Sequence, residues 1–269
     1  MRTRMRSLML AQLLVALFLI AACNSETKQT ESVTTTTEKG TSTAPPAKEV
    51  ESRSNVLVRM AHAIPGTPAV DLFVDDAKSF TDASYKTVTP YKEISSGKHT
   101  YRLRLTGQDT AQPLAEGSDR LSDAGAHYTL WALTGTGALS KAVDLKFIKD
   151  DLSPPANGKA KVRVLNSSPD MGEVDIYVQG KQDALFKGIN FAGENAYKEI
   201  DPINSALEVR PEGKNFAALT IPNANFEAGK LYTIFIVGQT KGTTKLEGVV
   251  VSDALSNSTS TSDKVNANH

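Results

Sequence analysis

The sequence predicts an all-β protein: two tandem antiparallel β-sandwich domains behind a signal peptide and a disordered tether. Three observations carry this reading. One unit occurs twice, its turn-rich segments hold short runs of alternating polarity, and no stretch of length has helical period. The duplication is plainest in Val162–Val178, VRVLNSSPDMGEVDIYV, which answers to Val58–Val74, VRMAHAIPGTPAVDLFV, 104 residues earlier. Arg59 matches Arg163, Pro65 matches Pro169, and Val70-Asp71 matches Val174-Asp175. Farther on, Tyr91-Lys92-Glu93-Ile94 matches Tyr197-Lys198-Glu199-Ile200. Ala124-Gly125 with Tyr128-Thr129 likewise matches Ala228-Gly229 with Tyr232-Thr233. A period of about 100 residues exceeds that of solenoids and propellers, so each copy is expected to be an autonomous domain. That length suffices to bury a core.

The chain opens with Arg2, Arg4 and Arg6, then an apolar run, Leu8–Ala22, interrupted only by Gln12. The run is about 15 residues, and a spanning helix needs about 20. A charged start followed by a short apolar run is a secretory signal. Its end, Leu19-Ile20-Ala21-Ala22-Cys23, resembles a bacterial lipobox, where a lipid is added to the cysteine and the leader is cut just before it. The resemblance makes residues 1–22 a lipoprotein signal peptide and Cys23 the lipid attachment site. Palmitate and other acyl chains on Cys23 would anchor the protein stably, since one chain alone holds only marginally. Cys23 is the single cysteine, so no intramolecular disulfide is expected and stability must come from packing. The expected location is the bacterial cell envelope, on the extracytoplasmic side. Asn24, where Asp would retain the protein at an inner membrane, favours the outer membrane if the cell has one.

Residues 23–54 form the tether. They are rich in Thr, Ser, Lys and Glu, and Val33 and Val50 are almost their only large apolar residues. Nothing there can be buried, so the segment is expected to be disordered. As a flexible coil it would span about 30 Å.

The first repeat is expected over 55–150. Asn55–Ala63 and Ala69–Asp75 alternate as strands around a Pro65-Gly66 turn, with Val70, Leu72 and Val74 on one face. Lys98–Leu105, His127–Leu133 and Ala142–Ile148 read as further strands, and Tyr85–Ile94 as one or two more. Gln108–Ser122 reads as an insertion that the second copy lacks. The second repeat is expected over 159–251, with strands at Lys161–Leu165, Glu173–Gln179, Asn195–Ile200, Ala206–Arg210, Phe216–Ile221, Leu231–Val237 and Leu246–Val251. About seven short strands with regular turn signals indicate a β-sandwich. Leu231–Val237, LYTIFIV, is apolar on both faces and is placed centrally. Asp150–Lys159, with Pro154-Pro155, reads as a short stiff linker, so contact between the repeats is expected to be modest. Residues 252–269 read as a disordered tail.

These residues carry a resemblance. VRVLNSSPDMGEVDIYVQG, the Tyr-Lys-Glu-Ile strand and FEAGKLYTIFIVG together resemble the DUF4397 family of bacterial extracellular domains. The second copy departs from that pattern in having Asn166 where His is usual. The first keeps His62 but has Ile64-Pro65-Gly66 where Ser-Pro-Asp is usual. The resemblance implies tandem Ig-like sandwiches on a surface protein, and it implies no reaction.

Motifs for chemistry are sparse. The four histidines, His62, His99, His127 and His269, fall in no metal-ligand spacing, and no metal site or cofactor is expected. His62 is expected to satisfy backbone at a strand end. Asp71 and Asp175 are expected to cap turn amides, and Asp75-Asp76 to be a solvated turn rather than a Ca²⁺ loop. Gly238–Thr243 lacks phosphate-loop spacing. Trp131, in YTLWAL, is expected in the core. Lys+Arg and Asp+Glu are both 30, and removal of the three leader arginines leaves 27 against 30. Nucleic acid is thus a poor partner for the domains. The expectation is a non-enzymatic, lipid-anchored protein with no catalytic residues. Its partners would be the membrane, through the lipid, and an unidentified protein or glycan. The alternatives are an accessory protein or enzyme acting on envelope polysaccharide, and a surface-fibre subunit.

Overall fold

The structure, a computed structural model, describes residues 55–135 and 142–253. The leader, Cys23, the tether and His269 lie outside the described residues. Each repeat folds as eight strands in two four-stranded sheets. In the first they are β1 (Asn55–Ala63), β2 (Val70–Val74), β3 (Ala77–Ala83), β4 (Lys92–Ser95), β5 (Gly97–Leu105), β6 (Ala115–Leu121), β7 (His127–Thr134) and β8 (Val143–Asp150). In the second they are β9 (Ala160–Asn166), β10 (Val174–Val178), β11 (Ala184–Ile189), β12 (Lys198–Ile200), β13 (Ile203–Pro211), β14 (Leu219–Phe226), β15 (Leu231–Val237) and β16 (Glu247–Ser252). The sheet orders correspond one for one: β4-β1-β7-β8 with β12-β9-β15-β16, and β3-β2-β5-β6 with β11-β10-β13-β14. Neighbouring strands are antiparallel except for one parallel pair in each repeat, β1 with β7 and β9 with β15.

Period-two alternation builds each sandwich core. Val56, Val58 and Met60 of β1 meet Val70 and Leu72 of β2, Tyr101 and Leu103 of β5, and Leu130 and Ala132 of β7. The second core repeats this with Val162, Val164, Val174, Ile176, Leu207, Val209, Ile234 and Ile236. The repeated Ala-Gly turn has a physical reason. Gly125 and Gly229 have φ of +75° and +78°, and each amide donates at 2.7 Å to a carbonyl at the start of its repeat, Asn55 O in β1 and Lys159 O just before β9. Glycine adopts that left-handed backbone without the Cβ penalty of other residues.

Three expectations need correction. Gln108–Ser122 is mostly not an insertion, because it contains β6, the counterpart of β14. Its AEGSDRL sequence exposes five consecutive residues between two buried ends, so no apolar alternation marks it. Contact between the repeats is not modest, because the outer faces of one sheet from each pack on one another in a shared core. Tyr85–Ile94 supplies one strand, β4, with an isolated bridge at Val88, within the one or two expected. The second repeat also runs past residue 251, since Ser252 ends β16 and Asp253 is buried.

Candidate functional site

Contact between the repeats is extensive. The β4-β1-β7-β8 sheet uses one face for its own core and turns the other toward the second repeat. Ala61, Ala63, Trp131, Leu133 and Ile148 pack there against Leu165, Ala192, Phe235 and Val237. This is why HYTLWALT and LYTIFIV are apolar on both faces: Tyr128, Leu130 and Ala132 or Tyr232, Ile234 and Ile236 meet the sandwich core, and Trp131 and Leu133 or Phe235 and Val237 meet the other repeat. Side-chain volume is distributed differently in the two copies. The first sets Trp131 beside Ala61, and the second sets Phe235 beside Leu165, at matched positions. Trp131 is fully buried and its indole N–H donates to Ser167 Oγ at 3.0 Å.

A polar network lies within this interface. Arg59 Nε donates to Thr129 Oγ1 at 2.9 Å, and the Thr129 hydroxyl donates to Asp150. Tyr91 OH donates to the same carboxylate at 2.6 Å, and its ring lies 4.9 Å from the Arg59 guanidinium carbon. The second repeat builds the same set: Arg163 Nε to Thr233 Oγ1 at 3.0 Å, Thr233 to Asp253 at 2.6 Å, Tyr197 to Asp253 at 2.9 Å, and Arg163 over the Tyr197 ring at 4.6 Å. The repeats then exchange partners. Arg163 Nη2 donates to Asp150 Oδ1 at 2.5 Å, and Arg59 Nη1 lies 2.7 Å from Asp253 Oδ1. All four charged side chains are at most 3% exposed. Burial opposes the Arg59 charge, but the Asp253 and Asp150 carboxylates outweigh it and raise its pKa. Burial and Asp150 together push the Tyr91 phenol up. Burial likewise raises Tyr197, with Arg163 opposing. The two positive and two negative charges balance and are held in place, so this cluster is built to join rather than to react.

The strand-end residues behave as expected. His62 Nδ1 accepts from Ile64 N at 3.3 Å, and Nε2 lies 3.2 Å from Pro68 O. Burial pushes its pKa below the ordinary value, partly offset by the backbone of Pro68 and Thr67. Asn166 does the same work with a carboxamide: Oδ1 accepts from Ser168 N at 3.0 Å and Nδ2 donates to Gly172 O at 2.9 Å. Asp71 accepts from Asp82 N and Thr106 Oγ1 and pairs with Lys78, while Asp175 accepts from Gly188 N. Both cap the irregular hairpins β2–β3 and β10–β11.

One arrangement was not legible beforehand. His99 Nδ1 lies 2.8 Å from Asp75 Oδ2, and Ser95 Oγ lies 3.4 Å from His99 Nε2. The order carboxylate, imidazole, hydroxyl suggests a nucleophile. However, Nε2 is closer to Ser95 O, at 2.8 Å, so a backbone carbonyl occupies the position a nucleophile would need. The cluster ties β5 to the turns beside it. Among the described residues, no group of three or more His, Cys, Asp or Glu is placed to hold a metal ion.

At one end of the second repeat, the β9–β10, β13–β14 and β15–β16 loops wall a cleft of about 590 Å³. Asp170 clamps it. Its carboxylate accepts from Thr240 N at 2.9 Å, Thr240 Oγ1 at 2.8 Å and Lys241 N at 2.8 Å. Burial would raise its pKa, but these hydrogen bonds bring it to about 2. The repetition could not reveal this clamp, because the first copy has Gly66 at the matched position.

No curated protein matches the chain. Among solved structures, an α-glucan-binding streptococcal virulence factor is 13% identical, with 66% of this chain and 91% of that one covered at a TM-score of 0.21. A family 26 carbohydrate-binding module of Amy13K from Eubacterium rectale, solved with maltoheptaose, is 10% identical over 74% of this chain and 97% of that one, at a TM-score of 0.22. A candidate cell adhesion protein from Bacteroides ovatus is 10% identical over 74% and 96%, at 0.21. The model of the family described as a domain of unknown function (DUF4397) matches twice, over residues 56–177 and 162–269. With the duplicated strand order and the matched Arg, Thr, Asp and Tyr set, the chain belongs to the DUF4397 family, of which it carries two copies.

Proposed function

We propose that this protein is a non-enzymatic binding or display module of the bacterial cell envelope, held to the membrane by lipid on Cys23. The observation that carries the reading is the exchange of Arg59 and Arg163 onto Asp253 and Asp150 within an apolar interface. It joins the repeats into one body, so their loops are presented in fixed relation. Preorganised surfaces suit binding, because less ordering is required on contact. The lipobox supplies the anchor and the 23–54 tether supplies reach.

Two measurements test this. Wild-type protein should fractionate with membranes and take up labelled palmitate, and Cys23→Ser should do neither. A Cys23→Ser variant that stays on the membrane and keeps the label removes the anchor. In the second, soluble chain beginning at Asn24 is offered to intact cells and to purified envelope. Retention on either supports the binding role. No retention leaves a spacer, and turnover of envelope polysaccharide would replace the reading with an enzymatic one.

A further inference from the structure

Phe216 stands apart from every other large apolar side chain. It is 60% exposed, and among the described residues it is the large hydrophobic left in solvent. A lone exposed Leu or Phe is ordinary, but Phe216 stands at the wall of an open, shallow cleft. It lines the cleft at the end of the second repeat, whose volume of about 590 Å³ falls within the range of about 300–1,000 Å³ usual for small-molecule sites. The ring lies on the β13–β14 loop. Gln239, Thr240 and Lys245 reach the cleft from the β15–β16 loop, and Met171 lies toward its buried side.

The wall carrying Gln239 is fixed independently of any ligand. The Asp170 clamp holds Thr240 and Lys241. Gln239 N donates to Thr244 O at 3.0 Å. At Gly242 an added Cβ would strike the Gln239 carboxamide, and at Gly238 (φ +89°) it would strike the Lys245 backbone. Gly238 is therefore required by close approach of backbone, whereas a side chain at Gly242 would only swing aside the Gln239 carboxamide seated over it.

The chemistry of the lining narrows the occupant. The carboxylate present, Asp170, spends both oxygens on the Thr240 and Lys241 groups and on Ser168 Oγ. It has little left for a ligand cation. One ammonium, Lys245, balances it, so the lining has no net charge. What remains is an exposed aromatic face, a carboxamide and a hydroxyl. That set matches a pyranose ring, whose C–H face stacks on an aromatic while its hydroxyls exchange hydrogen bonds with neutral polar groups. We propose that this cleft binds a segment of a neutral polysaccharide, with Phe216 as the stacking platform and Gln239 and Thr240 as its hydrogen-bonding partners. The site belongs to the second repeat alone. The first has Gly66 in place of Asp170, and its β5–β6 loop, TGQDTAQPL, contains no aromatic residue.

This inference rests on the binding-module reading, and its test separates the two. The chain from Asn24 with Cys23 removed is run on native gels containing glycogen, galactomannan, xyloglucan, dextran or, as an acidic control, polygalacturonate. At least one neutral polysaccharide should retard it. Phe216→Ala should weaken that retardation at least tenfold, and Gln239→Ala should weaken it less, with melting temperatures unchanged for both. Retardation that survives Phe216→Ala overturns the site, as does retardation by polygalacturonate alone or by none of the five. Retention of wild type and Phe216→Ala alike on intact cells would also remove this site, while leaving the binding module standing.

Discussion

The two repeats solve the same problem with different side chains, and the differences show which parts of the unit are constrained. At the end of the first strand, His62 and Asn166 make equivalent contacts. Each accepts from the amide two residues on and reaches a loop carbonyl six residues on. The geometry is retained although the residue changes, so the requirement is for an acceptor and a donor at fixed spacing, not for imidazole chemistry. In the interface the reverse holds. Arg, Thr, Asp and Tyr recur without substitution, because a buried guanidinium needs a carboxylate that neutralises it and groups that hold its Nε.

The comparison can be broken most severely by separating its halves. Residues 159–253 alone would expose Leu165, Phe235 and Val237 and would leave Arg163 without Asp150. The isolated repeat should therefore self-associate or fail to fold, which sedimentation velocity would show. A stable monomer with a cooperative melt would mean that the interface matters little. Next comes the exchange itself. Asp150→Ala and Asp253→Ala each strand a buried arginine, and each should cost about 3–5 kcal/mol in urea unfolding. The pseudo-symmetry further requires the two costs to be similar, and a large inequality would show that one half of the network carries the joint. Gly125→Ala and Gly229→Ala should each cost about 1–2 kcal/mol, because both force a Cβ into left-handed backbone.

The smallest effect sharpens the strand-end comparison. His62→Asn should alter stability at neutral pH by no more than about 1 kcal/mol, since Asn166 shows that the carboxamide fits. The pH dependence should change more clearly. The pKa of His62 is lowered in the fold, so on acidification the unfolded chain takes up the proton first. The stability that His62 contributes is full above its ordinary pKa of about 6.5 and is lost as pH falls through the folded value. His62→Asn should remove that part of the acid sensitivity, and Asn166→His should add a second copy of it. Urea midpoints from pH 8 to pH 4 would show both.

Much of the fold was legible. β1 and β15 coincide with the expected strands residue for residue, because strict alternation or an unbroken apolar run bounded by turns marks them. β3, β6 and β11 were not legible. AKSFTDA and AEGSDRL present mostly exposed faces and carry too few apolar residues to set a period, while ALFKGI has apolar residues that do not alternate and a hairpin partner at irregular register. The interface was half visible. LYTIFIV and HYTLWALT announced two apolar faces, and the period alone could not say that the second face meets the other repeat. A sharper signal was available in Arg59 and Arg163, charged residues at matched positions inside apolar strands. Such a charge must be paired if it is buried, and the recurring Tyr91/Tyr197 and Thr129/Thr233 were companions for it, while the carboxylates Asp150 and Asp253 had no matched context to point to them. The Phe216 cleft, absent from the first copy, had no echo to reveal it.

Asp253 has a consequence for the order in which the molecule can be completed. Synthesis runs from the N-terminus, so Arg163 finds Asp150 already made, whereas Arg59 waits for almost the last residue of the second repeat. Until then Arg59 has only the longer contact to Asp150, at 3.8 Å, and lacks its nearest carboxylate on an apolar face that the second repeat has yet to cover. A nascent or truncated chain that stops short of Asp253 is thus marked as unfinished at its opposite end. A loss of two or three residues after β16 should be felt first in the half of the protein that was made earliest.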